Sequence, residues 1–341
     1  MKKTKRIIGI DLIKSTACIL VILLHTSAPA FFINGAVVPN SFPSQIIYYL
    51  GTGAVPLFFM ANAFFLVNRP TMSYKYISKK ILLIMIPVAL WNGVIFIAYL
   101  LKNKITNYII LLLGSLLQKG FFFQFWFLGS LMILLLFVPT FNKLLKYSIK
   151  SYIVVLCLFL LVCFSFDLVN HIGLSTPIQS HVIQTFRLWT WFSYYMLGGL
   201  IGHFYFTKKE LFSNTSLGIV SGCLTVLSIT YSIFNKDWIH NIYAEFNYDN
   251  ILIMLWISVS FMFLISLKSF SNRIINNIEL VSSNSMGIYI VHVPVLKIFT
   301  HFIPISGFES NILAIIFIFT ISLMISFIFG KFRITHFLVK L

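Results

Sequence analysis

The sequence predicts an all-α, polytopic membrane protein with about ten transmembrane helices. Three observations carry this reading. The chain is 59% hydrophobic and only 10% charged, with a mean hydropathy of +0.94, far outside the range of water-soluble domains. Apolar runs of about 20 residues, the length that crosses a bilayer as a helix, recur from end to end. Basic residues gather in alternate connections between those runs.

The runs fall at 7–28, 45–67, 78–101, 121–141, 151–167, 187–206, 215–234, 249–268, 283–303 and 310–331. No soluble segment separates them, so one membrane domain over 1–341 is expected. The formal net charge of +17 would suit nucleic acid, but its distribution has another cause. With the N-terminus inside, the cytoplasmic segments collect Lys2, Lys3, Lys5 and Arg6, then Arg69, Lys75, Lys79 and Lys80. Lys143, Lys146, Lys150, Lys208, Lys209, Lys268, Arg273, Lys331, Arg333 and Lys340 complete that set. The opposite side holds only Lys102, Lys104, Lys119 and Lys236. This is the positive-inside bias of a multi-pass protein with both termini in the cytoplasm, and no nucleic-acid partner is needed. The stretch at 105–118 is too short to cross, so it is expected to be re-entrant or interfacial. Crossing there would invert the charge pattern. Cys18, Cys157, Cys163 and Cys223 are scattered without ligand spacing, so neither a disulfide scaffold nor a metal site is indicated. No internal repeat of the kind found in many transporters is visible.

The first run, IIGIDLIKSTACILVILLHTSA, is the informative one. It carries Asp11, Lys14 and His25, and a charge facing hydrocarbon costs roughly 2.5–3.5 kcal/mol. At 100° per residue Lys14 and His25 differ by about 20° in azimuth, and Asp11 lies about 40° from His25 on the other side. The three share one stripe facing the protein interior, with Lys14 and His25 roughly 16 Å apart along the axis. A signal peptide would explain the basic start but not the charges within the apolar region. A buried Asp11–Lys14 pair that only locks packing would leave His25 unexplained.

Other polar residues are few. Asn62 lies among small residues in the second run, where it could line a cavity or simply mediate helix contact. Lys79 and Lys80 stand at the cytoplasmic mouth of the third, where lysines commonly snorkel to headgroups. Gln124 and Trp126 open the fourth, and Trp126 also suits an interfacial belt. Arg187 opens the sixth near the outer face, with snorkelling as its plain alternative. Gly198 and Gly199 would let two helices approach closely. Glu245 and Asp249 occupy an outer loop, either solvated or recognising a sugar. In the ninth run Ser282 or Ser283 can cap the helix start, and Tyr289 and His292 share a face one turn apart. Pro294 would loosen the backbone beside them.

Together these segments resemble acyltransferase family 3, the membrane acyltransferases that modify bacterial surface sugars. GIDLIKSTACILVILLH is similar to the family's first-helix signature of an acidic residue, a basic residue and, after ten positions, a histidine. VPLFFMANAFFL, KKILLIMIP, WFLGSLMILLLFVP and SSNSMGIYIVHVPV resemble its second helix, its basic third-helix entry, its Trp-Phe-Leu segment and its Ile-Tyr-Leu-x-His motif near the C-terminus. The likeness runs from Arg6 to Arg333. It departs where Lys14 replaces the usual arginine, which keeps the charge but loses the bidentate fork. Arginine is also usual near Lys79 and Lys80, and a Ser-Gly pair where Asn62-Ala63 stand. The chain resembles the stand-alone members, which lack an extracytoplasmic hydrolase-like domain.

The resemblance implies transfer of an acyl group, most often acetyl, from acetyl-CoA or another acyl-CoA to a hydroxyl of a cell-surface polysaccharide or lipid-linked sugar. The enzyme would sit in the bacterial cytoplasmic membrane among its lipids; homo-oligomerisation is left open. Lys14, Lys79 and Lys80 would hold the anionic donor. His25 would act as general base or acyl carrier, with Tyr289, His292 or Asn62 serving the oxyanion. Asp11, Asn62, Trp126 and Arg187 are candidate substrate-binding residues, and no metal is implied. The rival from another class is a flippase or exporter of a glycan or lipid-linked sugar using the same polar stripe. An enzyme should hold an anion pocket reaching His25, whereas an exporter needs a path joining both faces. On the charge distribution, a C-terminal reporter active only outside the cytoplasm is expected to stay silent; a signal from it would overturn the topology.

Overall fold

The computed structural model of the chain describes residues 6–172, 176–208, 214–333 and 335–339. Lys2, Lys3, Lys5, Lys209 and Lys340, which entered the charge argument, lie outside them. The described chain is almost wholly helical. α1 (Ile8–Phe31) is followed by a two-strand hairpin, β1 (Phe32–Ile33) against β2 (Ala36–Val37), with Phe32 opposite Val37. Its turn is Asn34-Gly35, both at positive φ (54° and 83°), as a two-residue hairpin turn requires. α2 (Phe42–Leu50) runs through a 3-10 turn into α3 (Ala54–Leu66). α4 (Tyr74–Leu101), α5 (Tyr108–Leu116), α6 (Trp126–Tyr147) and α7 (Ile149–His171) follow. Then come α8 (Leu188–Thr207), α9 (Asn214–Trp238), α10 (Ile251–Ser266), α11 (Asn272–Ser283), α12 (Ser285–Phe302) and α13 (Phe308–Lys331).

Local chemistry sets many of these boundaries. The Ser73 hydroxyl accepts from Tyr76 N–H at the start of α4, and the Ser148 hydroxyl accepts from Ser151 N–H at the start of α7. Asn107 and Asn250 each accept from two backbone amides at the starts of α5 and α10. The nine residues of α5 span about 14 Å, well short of a hydrocarbon core of about 30 Å, so 105–118 does not cross as a helix.

Eight helical stretches among the described residues are long and apolar enough to cross a membrane, α2 and α3 counting as one. The two further runs expected from the sequence, 187–206 and 249–268, do form α8 and α10. However, α10 has only 16 residues, and α8 is too crowded with Trp, Tyr and Gly to match the others in apolarity. α11 was not anticipated. It is a short amphipathic helix packed on α1, and it corrects the reading of Ser282 and Ser283 as caps. Both serines close α11, and Asn284 leads into α12.

α1 is central. It packs against α2, α3, α10, α11, α12 and α13, and buries Ile13, Ala17, Cys18 and Ile22 almost completely. α4, α7, α9 and α13 form the periphery and turn Leu82, Val94, Leu161, Val226 and Ile316 outward. An exposed surface this apolar suits a bilayer, where helices satisfy their own backbone hydrogen bonds. The chain is thus an all-α polytopic membrane protein.

The close contact of α3 on α8 rests on glycine, as the sequence suggested. A Cβ on Gly198 would lie 2.4 Å from the Met60 carbonyl oxygen, a backbone atom that cannot swing away. Gly198→Ala is therefore expected to lower the unfolding temperature of the detergent-solubilised protein, at a cost of about 1–3 kcal/mol. Gly222→Ala, where a Cβ meets nothing within 4 Å, should leave it unchanged or higher. Equal effects would refute the close-approach argument.

Candidate functional site

The polar stripe of α1 opens onto a different cavity at each end of the bundle. At the end where α1 begins, Asp11 is buried, but its partner is not Lys14. Arg6 Nε donates to Asp11 Oδ2 at 2.5 Å, and the Ser282 hydroxyl of α11 donates to the other carboxylate oxygen. Arg6 also lies 3.4 Å from Glu279. The hydrogen bond to Asp11 pushes the Arg6 guanidinium further above its usual pKa. Asp11 lines neither cavity; its contacts pin α11 to the start of α1.

Lys14 is left over from that network. Among the described residues it makes no hydrogen bond or ion pair, and it lines a cavity of about 430 Å³ together with Lys80. Neither lysine is in an ion pair among the described residues, so the cavity carries two amino groups that could face an anion. Ser282, Ser283 and Ser285 contribute hydroxyls to the same walls. Asn62 lines it too, with its Oδ1 accepting from Tyr195 Oη at 2.7 Å, so its amide N–H groups stay free to donate. Lys79 does not join Lys14 and Lys80; it is exposed and outside the cavity walls. The reason is the helical step: neighbours on α4 point about 100° apart.

At the other end, His25 lines a cavity of about 470 Å³ walled by Trp126, Tyr48, Tyr243 and Tyr248 and by the polar Gln124, Gln184 and Glu245. His25 makes no hydrogen bond among the described residues and stacks edge-on against Phe123 at 5.8 Å. Trp126 is buried in the bundle against Trp191, which removes the belt reading. Arg187 is buried as well, and is not snorkelling. Its Nη2 donates to Glu245 Oε1 at 2.9 Å, its Nε donates to the Val182 carbonyl, and its guanidinium lies 5.0 Å over the Phe246 ring. Gln184 Nε2 donates to the other Glu245 oxygen. Arg187 thus fixes a carboxylate that faces the cavity without lining the cavity itself. Burial pushes the Tyr248 phenol pKa up, keeping it a neutral hydrogen-bonding group. Asp249 is buried away from both cavities, accepting from Gln179, Trp189 and Thr190.

Between the cavities stand Phe127 and Tyr289, which line both. Pro294 explains the local arrangement. A proline cannot bond the carbonyl four residues earlier, so the Ile290 carbonyl is freed, and Gln124 Nε2 donates to it at 3.3 Å. The Tyr289 hydroxyl donates in turn to the Gln124 backbone carbonyl. Next along α12, His292 Nδ1 donates to the Tyr289 carbonyl at 2.6 Å. That bond leaves the lone pair on His292 Nε2, which is fully buried without a partner. The His25 and His292 rings stand 5.2 Å apart.

Of the sequence candidates, the fold brings Lys14, Lys80, Asn62 and Tyr289 to one cavity and His25, Trp126 and Tyr289 to the other, with His292 behind them. Gln184 and Tyr48 were missed, and Phe127 was read only as part of the Trp-Phe-Leu segment, without a role of its own. Gln184 acquires meaning only from Glu245. The Gln124–Ile290 bond had a readable signal: a helical proline demands a donor for the carbonyl one turn back.

The helical bundle thus holds a cavity lined by two lysines and a second lined by His25, with Phe127 and Tyr289 in the walls of both. The family model described as "Acyltransferase domain" (Acyl_transf_3) matches residues 7–331, and the chain belongs to this family of membrane acyltransferases. Comparison with curated proteins and with solved structures found no match.

The Arg187–Glu245 pair offers a test of this geometry. Arg187→Leu leaves Glu245 without its cation and is expected to cost about 3–5 kcal/mol. Arg187→Leu with Glu245→Leu should recover part of that loss. Strictly additive losses in a double-mutant thermal-unfolding cycle would show the pair to be uncoupled.

Proposed function

We propose that the protein transfers an acyl group from a coenzyme A thioester to a hydroxyl of a surface glycan or lipid-linked sugar. The observation that carries this reading is the pair of cavities along α1, one holding Lys14 and Lys80 with no ion pair among the described residues, the other holding His25. The cationic cavity takes the phosphates of the donor from the cytoplasm, consistent with both termini lying on that side of the bacterial inner membrane. The reach from Lys14 to His25, roughly 16 Å, is of the order of an extended pantetheine arm. The aromatic cavity takes the acceptor, with Glu245 and Gln184 as hydrogen-bond partners for hydroxyls.

In the reaction His25 accepts the proton of the acceptor hydroxyl as its oxygen attacks the thioester carbonyl carbon. The carbon–sulfur bond breaks and the proton passes to the departing thiolate. Asn62, its oxygen already held by Tyr195, offers its amide N–H to the developing oxyanion. The Tyr289 hydroxyl is committed to the Gln124 carbonyl, so Tyr289 shapes the site rather than supplying that donor. His292 Nε2, buried and unpartnered beside His25, is placed to share the proton. An export path for a glycan would have to pass Phe127 and Tyr289, which stand between the cavities.

His25→Ala and His25→Gln are expected to keep membrane abundance near wild type and to lower acyl transfer by ~10²- to 10⁴-fold. Lys14→Gln should weaken acetyl-CoA binding, and Lys14→Arg should retain it. Normal acylation at normal abundance in both His25 variants would remove His25 from the mechanism. Unchanged acylation with loss of glycan export would favour the exporter.

A further inference from the structure

We propose that Phe127 and Tyr289 form a filter that sets the size of the acyl group transferred, favouring acetyl. This rests on the acyl-transfer reading above and adds a residue-level basis for donor choice. The two side chains line both cavities and are themselves buried, so the wall between donor and acceptor is one aromatic layer thick. Their rings meet edge to face at 5.4 Å. A donor held at Lys14 and Lys80 approaches from one side, and His25 lies on the other. The thioester carbonyl must therefore reach this layer, and whatever the carbonyl carries lies against the two rings.

Neither ring is free to step aside. Phe127 is backed by Phe59 at 4.7 Å and Phe58 at 5.9 Å. Tyr289 is tied at its hydroxyl to the Gln124 carbonyl, and its own carbonyl holds His292. Gln124 is in turn engaged by the carbonyl that Pro294 frees. Close-packed interiors resist displacement by even one methylene. A methyl group fits such a junction with small ring rotations, whereas a propyl chain needs one ring displaced into packed neighbours.

The test is acyl transfer in membrane vesicles supplied with acetyl-CoA or butyryl-CoA, scored as the butyryl-to-acetyl ratio. Phe127→Leu and Phe127→Ala are expected to raise the ratio by about 10-fold or more, the range that one or two methylenes command in a shaped pocket. Phe127→Trp should lower it. Phe65→Leu, altering a wall of the donor cavity alone, should not change it. Because the ratio is internal to each preparation, reduced abundance of the alanine variant does not affect it, and the leucine variant is the milder cut. An unchanged ratio in Phe127→Leu, or an equal rise in Phe65→Leu, overturns the filter while leaving the transferase reading intact. Failure of the wild-type protein to transfer from either donor overturns the coenzyme A reading and the filter with it.

Discussion

A charged or imidazole side chain cannot face hydrocarbon without a partner or water, and α1 carries Asp11, Lys14 and His25 through the depth of the bundle. The rest of the structure answers that demand. Asp11 is neutralised by Arg6 and capped by Ser282 from α11, so the carboxylate becomes a packing element that holds α11 against α1. Among the described residues Lys14 and His25 make no hydrogen bond or ion pair, and each opens into a cavity. Their six surrounding helices seal the stripe from lipid, while α4, α7, α9 and α13 supply the apolar exterior.

The second constraint is backbone rather than side chain. Pro294 interrupts α12 beside the site and leaves the Ile290 carbonyl in need of a donor. Gln124 supplies it from the turn before α6, and its own carbonyl accepts from Tyr289. One defect in one helix thus couples α6 to α12 and sets the position of both Tyr289 and His292. It also helps hold Tyr289, which with Phe127 lines both cavities.

The His25 cavity depends on long-range pairing in a similar way. Glu245 comes from the connection after α9, and Arg187 and Gln184 from the connection before α8. A buried guanidinium fixes the carboxylate, so the polar wall of that cavity is preorganised rather than assembled on binding. Aromatic rings from α2, α6 and the connection after α9 complete it.

The sequence by itself determined the class, the long apolar helices and the polar stripe, because these follow from hydropathy and the 100° helical step, both local. It also carried enough ordered segments to reveal the family, which the match over residues 7–331 bears out. It could not determine which partner each buried charge takes. Asp11 was equally placed for Lys14, and only the packing of α11, an element too polar to stand out, gave it Ser282 while Arg6 turned back to reach it. The separation of Lys80 from Lys79 was implicit in helical geometry, but its meaning depended on where α1 lay. Phe127 among its aromatic neighbours, and Gln184 opposite Glu245, became site residues only through contacts between distant segments. Tertiary structure alone decides those, because periodicity says which face a residue occupies and never what stands across from it.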